Sequence, residues 1–252
     1  MNYIKKLLKL YAPDILISLF WKVVKMRKGL EYNRIIKKKY GKLSNKEIFS
    51  IVYKENIWNK DSNLDFNSGP GSHDPKVVTP YIKTISNFFK DLKRKPIVLD
   101  VGCGDFNIGS QLYEYTKKYI AIDVVDELIY RNKLKYKSIN LEFYVLDMVL
   151  DELPSAECIL IKEVLQHLPN KEIKIIINKL SYFKYVIITE SIPKYDFVAN
   201  IDKLKGPECR IDLKSGIVIH KHPFYHKYKE KKELLKIPRK DRFISSTLYR
   251  NY

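Results

Sequence analysis

The chain is poor in cysteine, with three in 252 residues (Cys103, Cys158 and Cys209) and no C-x-x-C pair among them. An odd number so widely spaced excludes a disulfide framework and a thiolate metal knuckle, and it points to a reducing compartment. Long apolar runs are lacking as well. No stretch reaches the roughly 18 uninterrupted apolar residues of a membrane span. The apolar part of the N-terminus is not followed by a small-residue cleavage site, so no secretory signal is read. The expected compartment is the cytoplasm. Acids are in the minority, 29 Asp and Glu against 47 Lys and Arg, for a formal net charge of +18. The excess is uneven: residues 1–40 carry eleven basic residues against two acids, and residues 221–252 carry ten against three. Basic ends suit a polyanion, an acidic membrane surface or a phosphorylated substrate. A Lys-, Ile- and Asn-rich coding bias spread over solvated faces gives the same count. Apolar residues, in contrast, are plentiful at 45%, enough for an ordinary globular core.

Residues 3–10 read as a short basic amphipathic segment. After Pro13-Asp14, Ile15, Leu16, Leu19, Phe20, Val23 and Val24 recur at helical spacing, with Lys22, Lys25, Arg27 and Lys28 toward the end. Such a helix packs as a lid or a homodimer surface, or lies on a membrane, here the inner face. Ser44-Asn-Lys-Glu47 ahead of Ile48-Phe49 is a capping box for a further helix. Residues 56–72 are loop-like, ending in Ser68-Gly-Pro-Gly-Ser-His73, and a helix is predicted from Pro75 to about Leu92. Strands are then expected at 97–101, 119–123, 142–146, 157–161 and 185–190, with helices near 107–116, 125–134 and 170–181. This alternation predicts an α/β chain with βαβ crossovers and a mainly parallel sheet flanked by helices. The expected organisation is an N-terminal helical extension (1–75), a Rossmann-like core (76–200) and a C-terminal substrate-side segment (201–252).

Ligands of such sheets sit beyond the carboxyl ends of the strands, and the residues there form a set. Ile97-Val-Leu-Asp-Val-Gly-Cys-Gly-Asp-Phe-Asn-Ile-Gly109 is a buried strand running into a glycine turn. Gly102 and Gly104 allow backbone to approach a ligand, and a following helix would offer free N–H groups. The second strand ends in Asp123, whose two oxygens match the two hydroxyls of a ribose. The third runs into Asp147, suited to an adenine amino group, with Met148 beside the ring. The fourth opens into Lys162-Glu-Val-Leu-Gln-His-Leu168. A nicotinamide-binding fingerprint requires a third small residue at position 107, which is Asn, and a phosphate-binding P-loop requires a G-K-[ST] that is absent.

With these residues the chain resembles class I S-adenosylmethionine-dependent methyltransferases over roughly 95–190. Val98-Leu-Asp-Val-Gly-Cys-Gly104 is similar to their first motif, Asp123 to the ribose-binding acid, Leu146-Asp147 to the adenine-side acid and Glu163-Val-Leu-Gln-His167 to the segment after strand four. The resemblance implies a Rossmann-like methyltransferase fold and S-adenosylmethionine as cofactor, released as S-adenosylhomocysteine. The implied cofactor residues are Asp100, Gly102, Cys103, Gly104 and Asn107 around the turn, Asp123 and Val124, Asp147 and Met148, and Lys162. Ser68-Gly-Pro-Gly-Ser72, Gly104-Asp-Phe106, Val164-Leu-Gln-His-Leu168 and Arg210-Ile-Asp-Leu213 further resemble bacterial polysaccharide and capsule methyltransferases, in particular the capsular heptose O-methyltransferases of Campylobacter-like bacteria.

Methyl transfer to a sugar hydroxyl, free or nucleotide-linked, calls for a general base, because the hydroxyl is a poor nucleophile. His167 fits the role with a neutral imidazole, or else it packs or caps a helix start; Glu163 is the second candidate, as base or as the group orienting His167. Ser72 and His73 belong to a lid over the cofactor or to a plain turn. Arg210 and Asp212 form a clamp on a substrate phosphate or sugar, or an ordinary ion pair. His220-Lys-His-Pro-Phe-Tyr-His226 has no acid-rich cluster beside it, so no metal is expected. An RNA methyltransferase is the competing reading, motivated by the basic ends. It lacks the Asn/Asp-Pro-Pro-Tyr motif after strand four, so nucleic acid is not the expected partner. A non-catalytic S-adenosylmethionine-binding module is the third reading, opposed by the intact Glu163 and His167.

Overall fold

Ser44 caps a helix as its sequence predicts. Its Oγ accepts from the Glu47 amide at 3.2 Å, and Glu47 Oε2 accepts from the Ser44 amide at 2.7 Å, satisfying two otherwise free donors. This helix is α1 (Asn45–Lys54). One helical turn, α2 (Pro70–His73), and the longer α3 (Pro75–Lys90), capped by Asp74, follow it. The computed structural model describes residues 34, 36–59 and 65–252. The segments read at 3–10 and 15–28 lie outside the described residues. Residues up to Lys42 belong to a separate unit, in which 36–40 are helical. Everything below concerns Leu43–Tyr252.

Five strands run parallel in the spatial order β3-β2-β1-β4-β5: β1 (Ile97–Val101), β2 (Lys118–Asp123), β3 (Leu141–Val145), β4 (Cys158–Lys162) and β5 (Tyr185–Pro193). All five lie where the sequence pattern puts them, with β5 extended to Pro193. Helices α4 (Asp126–Lys135) and α5 (Asn170–Leu180) also match their expected positions. Two strands were not legible. β6 (Glu230–Pro238) and β7 (Arg242–Arg250) form a hairpin, and β7 pairs antiparallel with β5, so the full order is β3-β2-β1-β4-β5-β7-β6. β6 is an edge strand with mostly exposed residues, and its lysines are what a protected edge carries. Of its apolar side chains, Leu235 and Ile237 pack with Val77 of α3 and Ile244 of β7, and Leu234 packs against the cluster that includes Tyr81 and Ile85 of α3.

The helix expected at 107–116 is replaced by two short 3-10 turns, Gly109–Gln111 and Tyr113–Tyr115. Phe106 is the cause. It adopts a left-handed φ of +63°, and its fully buried ring meets Tyr119, Tyr136 and Phe143 at centroid distances of 5.8, 5.0 and 4.7 Å. The same ring occupies the space a Cβ on Gly109 would need, at 2.2 Å. Burying a phenylalanine is worth about 2–3 kcal/mol, more than the few tenths per residue of helix propensity. The glycine turn is therefore not followed by an α-helix N-terminus, and the amides of Gly104, Asp105, Phe106 and Asn107 donate within the chain, to Asp123, Ser68, Cys103 and Asp105.

Successive strand residues face opposite layers, and both layers are covered, which is why these strands read as continuous apolar runs. On one side Leu99, Ile159 and Ile161 pack with Ile173, Ile176 and Leu180 of α5 and with Phe224. On the other, Val98, Leu160 and Ile187 pack with Tyr81, Ile85 and Phe89 of α3. Among the described residues no helix is long and apolar enough to cross a membrane.

Candidate active site

The carboxyl ends of β1, β2 and β4 open into one cavity of about 290 Å³, near the lower end of small-molecule pockets. Its walls include Gly102, Cys103, Gly104, Asp123, Val124, Met148, Lys162, Glu163, His167 and Ser72 of the residues singled out in the sequence.

The glycine turn is built by its backbone. Gly102 and Gly104 have φ of +69° and +57°, a region L side chains avoid. The Gly102 and Cys103 amides both donate to the Ile122 carbonyl, at 2.9 and 3.0 Å, and Asn132 Nδ2 donates to the Gly104 carbonyl at 2.7 Å. An added Cβ would lie 2.5 Å from Val164 Cγ2 at Gly102 and 2.3 Å from Ser68 Oγ at Gly104. In the folded chain the close approach that glycine permits is made by Val164 and Ser68.

Asp123 ends β2 at the cavity wall. Its Oδ2 accepts from the Gly104 amide and its Oδ1 from the Val125 amide, both at 3.1 Å. Burial pushes its pKa up to about 6, against the pull of these amides. Each oxygen keeps a further acceptor position. Asp100 lies behind the turn, where it accepts from the Tyr119 hydroxyl at 2.9 Å, and burial pushes it up to about 7. Asp147 also stands back from the cavity. Its Oδ1 accepts from the Val149 amide at 2.8 Å and its Oδ2 from Asn45 Nδ2 at 3.2 Å, while its neighbours Leu146 and Met148 line the wall.

Residues 67–73 cross the cavity and are tied down from three directions. Lys162 Nζ donates to the Gly71 carbonyl at 2.7 Å, Asn107 Nδ2 to the Ser72 carbonyl at 2.6 Å, and the Ser68 amide to Asp105 Oδ2 at 2.9 Å. His73 Nε2 lies 2.5 Å from that same Asp105 oxygen. His73 and Asn107 thus hold the strap in place without lining the cavity.

Glu163 and His167 sit on the turn after β4. Glu163 has a left-handed φ of +55°, the kind of strain that collects at functional sites. Burial would raise its pKa, but Lys162 at 3.0 Å, with His167 and Ser191 beside it, holds the carboxyl below its ordinary value. His167 is 8% exposed. Burial, then the charge of Lys203, pushes it down to about 4, and the charge of Glu163 opposes this. Its Nδ1 is buried without a hydrogen-bond partner. Behind both stands Glu190, raised to about 8 by burial and then by the charge of Glu163.

Several wall residues carried no recognised signal. Phe49 and Trp58 approach the His167 ring at 6.2 and 5.2 Å, and the Trp58 indole N–H is fixed by the Pro207 carbonyl at 3.0 Å. Asn45, Phe49 and Tyr53 come from α1, whose capping box located the helix but not the direction of its inner face. Arg210 is not at the cavity. It is 1% exposed and donates to the carbonyls of Ile201 and, at 2.6 Å, Leu168. Asp212 is exposed. The pair thus forms neither a cavity clamp nor an ion pair with each other. His220 and His226 bond to Tyr249 at 2.9 Å and Asn251 at 3.1 Å. Among the described residues no three His, Cys, Asp or Glu side chains are grouped to hold a metal ion.

Strand order, the antiparallel β7 beside β5 and a cavity at the carboxyl edge define a Rossmann-like class I methyltransferase fold. No family model matches the sequence, and no curated protein matches it. Solved structures do match. Human N-acetylserotonin methyltransferase in complex with SAM aligns with a TM-score of 0.54 at 14% identity, covering 85% of this chain and 61% of that one. Magnesium protoporphyrin IX methyltransferase from Synechocystis PCC 6803 with bound SAM aligns at 0.53 and 13% identity, covering 83% of this chain and 98% of that one. The chain therefore spans about three fifths of the human enzyme and nearly all of the bacterial one, and at these identities the likeness is one of fold.

Proposed function

We propose that this chain is an S-adenosylmethionine-dependent O-methyltransferase acting on the hydroxyl of a sugar, nucleotide-activated or capsule-related, such as a heptose. The observation that carries the reading is the meeting of Asp123, the glycine turn, Glu163 and His167 on one cavity. The cavity suits the cofactor's chemistry. Asp123 is a buried carboxylate with spare acceptor capacity for two ribose hydroxyls, and Val124, Leu146, Met148 and Val149 form an apolar wall for a purine.

When bound, the sulfonium supplies an electrophilic methyl group for in-line displacement. The chain's part is alignment and exclusion of water, and the strap of residues 67–73, bonded to Lys162, Asn107 and Asp105, covers the reacting end. His167 is uncharged at neutral pH, and its imidazole takes the hydroxyl proton. The ionised Glu163 favours the imidazolium that results, a supporting charge rather than the base, since its two oxygens are engaged by Lys162 and Ser191. Trp58 and Phe49 offer flat apolar faces to the C–H surface of a sugar ring.

The test is a radiolabelled methyl-transfer screen over nucleotide-activated sugars, with RNA and capsule fragments as competitors. Labelling of the sugars supports the reading. Labelling of RNA alone replaces it with an RNA methyltransferase. The proposed membrane contact of residues 1–40 is checked by sedimentation with anionic vesicles, and a homodimer by light scattering.

A further inference from the structure

From Trp58 and His167 the cavity wall continues through Pro207 and Cys209 to Arg242. Residues 206–209 join them. The Gly206 amide donates to the His167 carbonyl at 3.1 Å, the Trp58 indole N–H to the Pro207 carbonyl at 3.0 Å, and Arg242 Nη1 to Cys209 Sγ at 3.5 Å. Arg242 also lines a second, open cleft of about 460 Å³, together with Asp74, Lys76, Arg239, Lys240 and Asp241. One guanidinium therefore borders both spaces. Strand direction puts the cleft where it is. The parallel β5 ends at the carboxyl edge of the sheet, and the antiparallel β7 begins there, with Arg242 opposite Pro193. The β6–β7 turn, closed by the Arg239 amide on the Arg242 carbonyl at 2.8 Å, thus stands at the edge where such sheets bind ligands. Asp74, the cap of α3, accepts from Arg239 Nη1 at 2.6 Å and ties the turn to the end of the strap.

In this cleft four cations, Lys76, Arg239, Lys240 and Arg242, meet two carboxylates, Asp74 and Asp241. Arg239 pairs with Asp74, and Arg242 Nε lies 3.3 Å from Asp241. Each guanidinium has five N–H donors, so both keep donors to spare. The ammonium groups of Lys76 and Lys240 form no ion pair among the described residues. Surplus positive charge with unspent forked donors suits the oxygens of a phosphate ester, whereas a neutral sugar makes no use of it. Size points the same way. The main cavity, about 290 Å³, is at the small end for a ligand pocket, so an acceptor larger than a sugar extends beyond it. Resting on the sugar-acceptor reading above, we infer that the acceptor is a diphosphate ester of the sugar, as in a nucleoside diphosphate sugar. Its ring lies at His167 and Trp58, Arg242 binds the phosphate next to the ring, and Lys76, Arg239 and Lys240 hold the outer phosphate.

The experiment is a calorimetric titration of the full chain with inorganic pyrophosphate, in the presence of saturating S-adenosylhomocysteine so that the probe does not enter the cofactor's place. The wild type should bind pyrophosphate. Arg242→Gln and the double variant Lys76→Gln/Lys240→Gln should each weaken that binding by about tenfold or more. The lysine pair gives up no ion pair within the chain, and its thermal midpoint shows that it is folded. Lys133→Gln, on the exposed side of α4, should bind as the wild type does. In the radiolabelled screen a nucleoside diphosphate sugar should be methylated and the corresponding free sugar should not, and the lysine pair should raise KM for the former by about tenfold. Absence of pyrophosphate binding overturns the inference. So does an equal loss in Lys133→Gln, which would mean diffuse charge, or equal labelling of the free sugar. Labelling of RNA alone removes the sugar-acceptor reading and the acceptor named here with it. If S-adenosylhomocysteine does not bind, the methyl-donor reading fails, and the pyrophosphate titration run without it still decides the anion site.

Discussion

Lys162 holds Gly71: its ammonium donates to the Gly71 carbonyl at 2.7 Å while lying 3.0 Å from the Glu163 carboxylate. One side chain at the end of β4 both closes the strap and balances a buried acid. A Cβ on Gly71 would fall 1.9 Å from Glu163 Oε2, so the strap also needs its glycine. Lys162→Met leaves Glu163 buried without its cation, and breaking a buried pair from one side costs on the order of 3 kcal/mol. Urea unfolding should show that loss. The double variant Lys162→Met/Glu163→Gln should recover much of it, and an undiminished loss in the double variant would contradict the pairing.

Asp123→Ala should weaken binding of S-adenosylhomocysteine by at least about 100-fold, the value of two hydrogen bonds to a charged acceptor. The pH dependence has a definite sign. Asp123 is held up to about 6 by burial, so below that pH the carboxyl takes a proton and loses acceptor capacity. Affinity measured by calorimetry should fall as the pH drops from about 7 to 5, and Asp123→Asn should be weak and flat across the same range.

His167→Ala should leave cofactor affinity intact and lower methyl transfer by about 100-fold or more. Because burial and Lys203 push the imidazole down to about 4, the acid limb of the rate profile should lie near that value instead of near 6.5. A limb at 6.5, or an unchanged rate in the variant, would remove His167 as the base.

Glu190 should make the protein less stable as the pH rises. Its folded-state pKa is about 8, raised first by burial and then by the charge of Glu163. The unfolded chain releases this proton near 4.5, so between about 4.5 and 8 the folded state holds one extra proton. Over that window its contribution falls with increasing pH, by up to about 1.4 kcal/mol per unit. Glu190→Gln keeps an acceptor for the Leu165 amide and should gain on wild type as the pH approaches 8. Thermal midpoints taken from pH 5 to 9 decide it.

The glycine turn was legible because a buried strand, an acid and two glycines must stand in that local order, and φ is positive at both glycines. Asp123 was legible for the same reason, as the residue that ends a strand. The helix after the turn was misread, because the fate of residues 107–116 depends on where the Phe106 ring is buried, and its neighbours Tyr119, Tyr136 and Phe143 are distant in sequence. Arg210 was misplaced for a related reason. A guanidinium marks a need for acceptors, but whether a ligand or the Ile201 and Leu168 carbonyls supply them is a matter of packing.

Local order along the chain thus determined the parallel strands, the helix cap at Ser44 and the acids at strand ends, since each follows from periodicity or from a hydrogen bond spanning three residues. Tertiary structure alone decided that α1 brings Asn45 and Phe49 to the cavity, that residues 67–73 cross it, and that β7 enters the sheet beside β5. These contacts join residues as far apart as Asn45 and Asp147, or Gly71 and Lys162. Their strength comes from burial that forms only once both partners are in place.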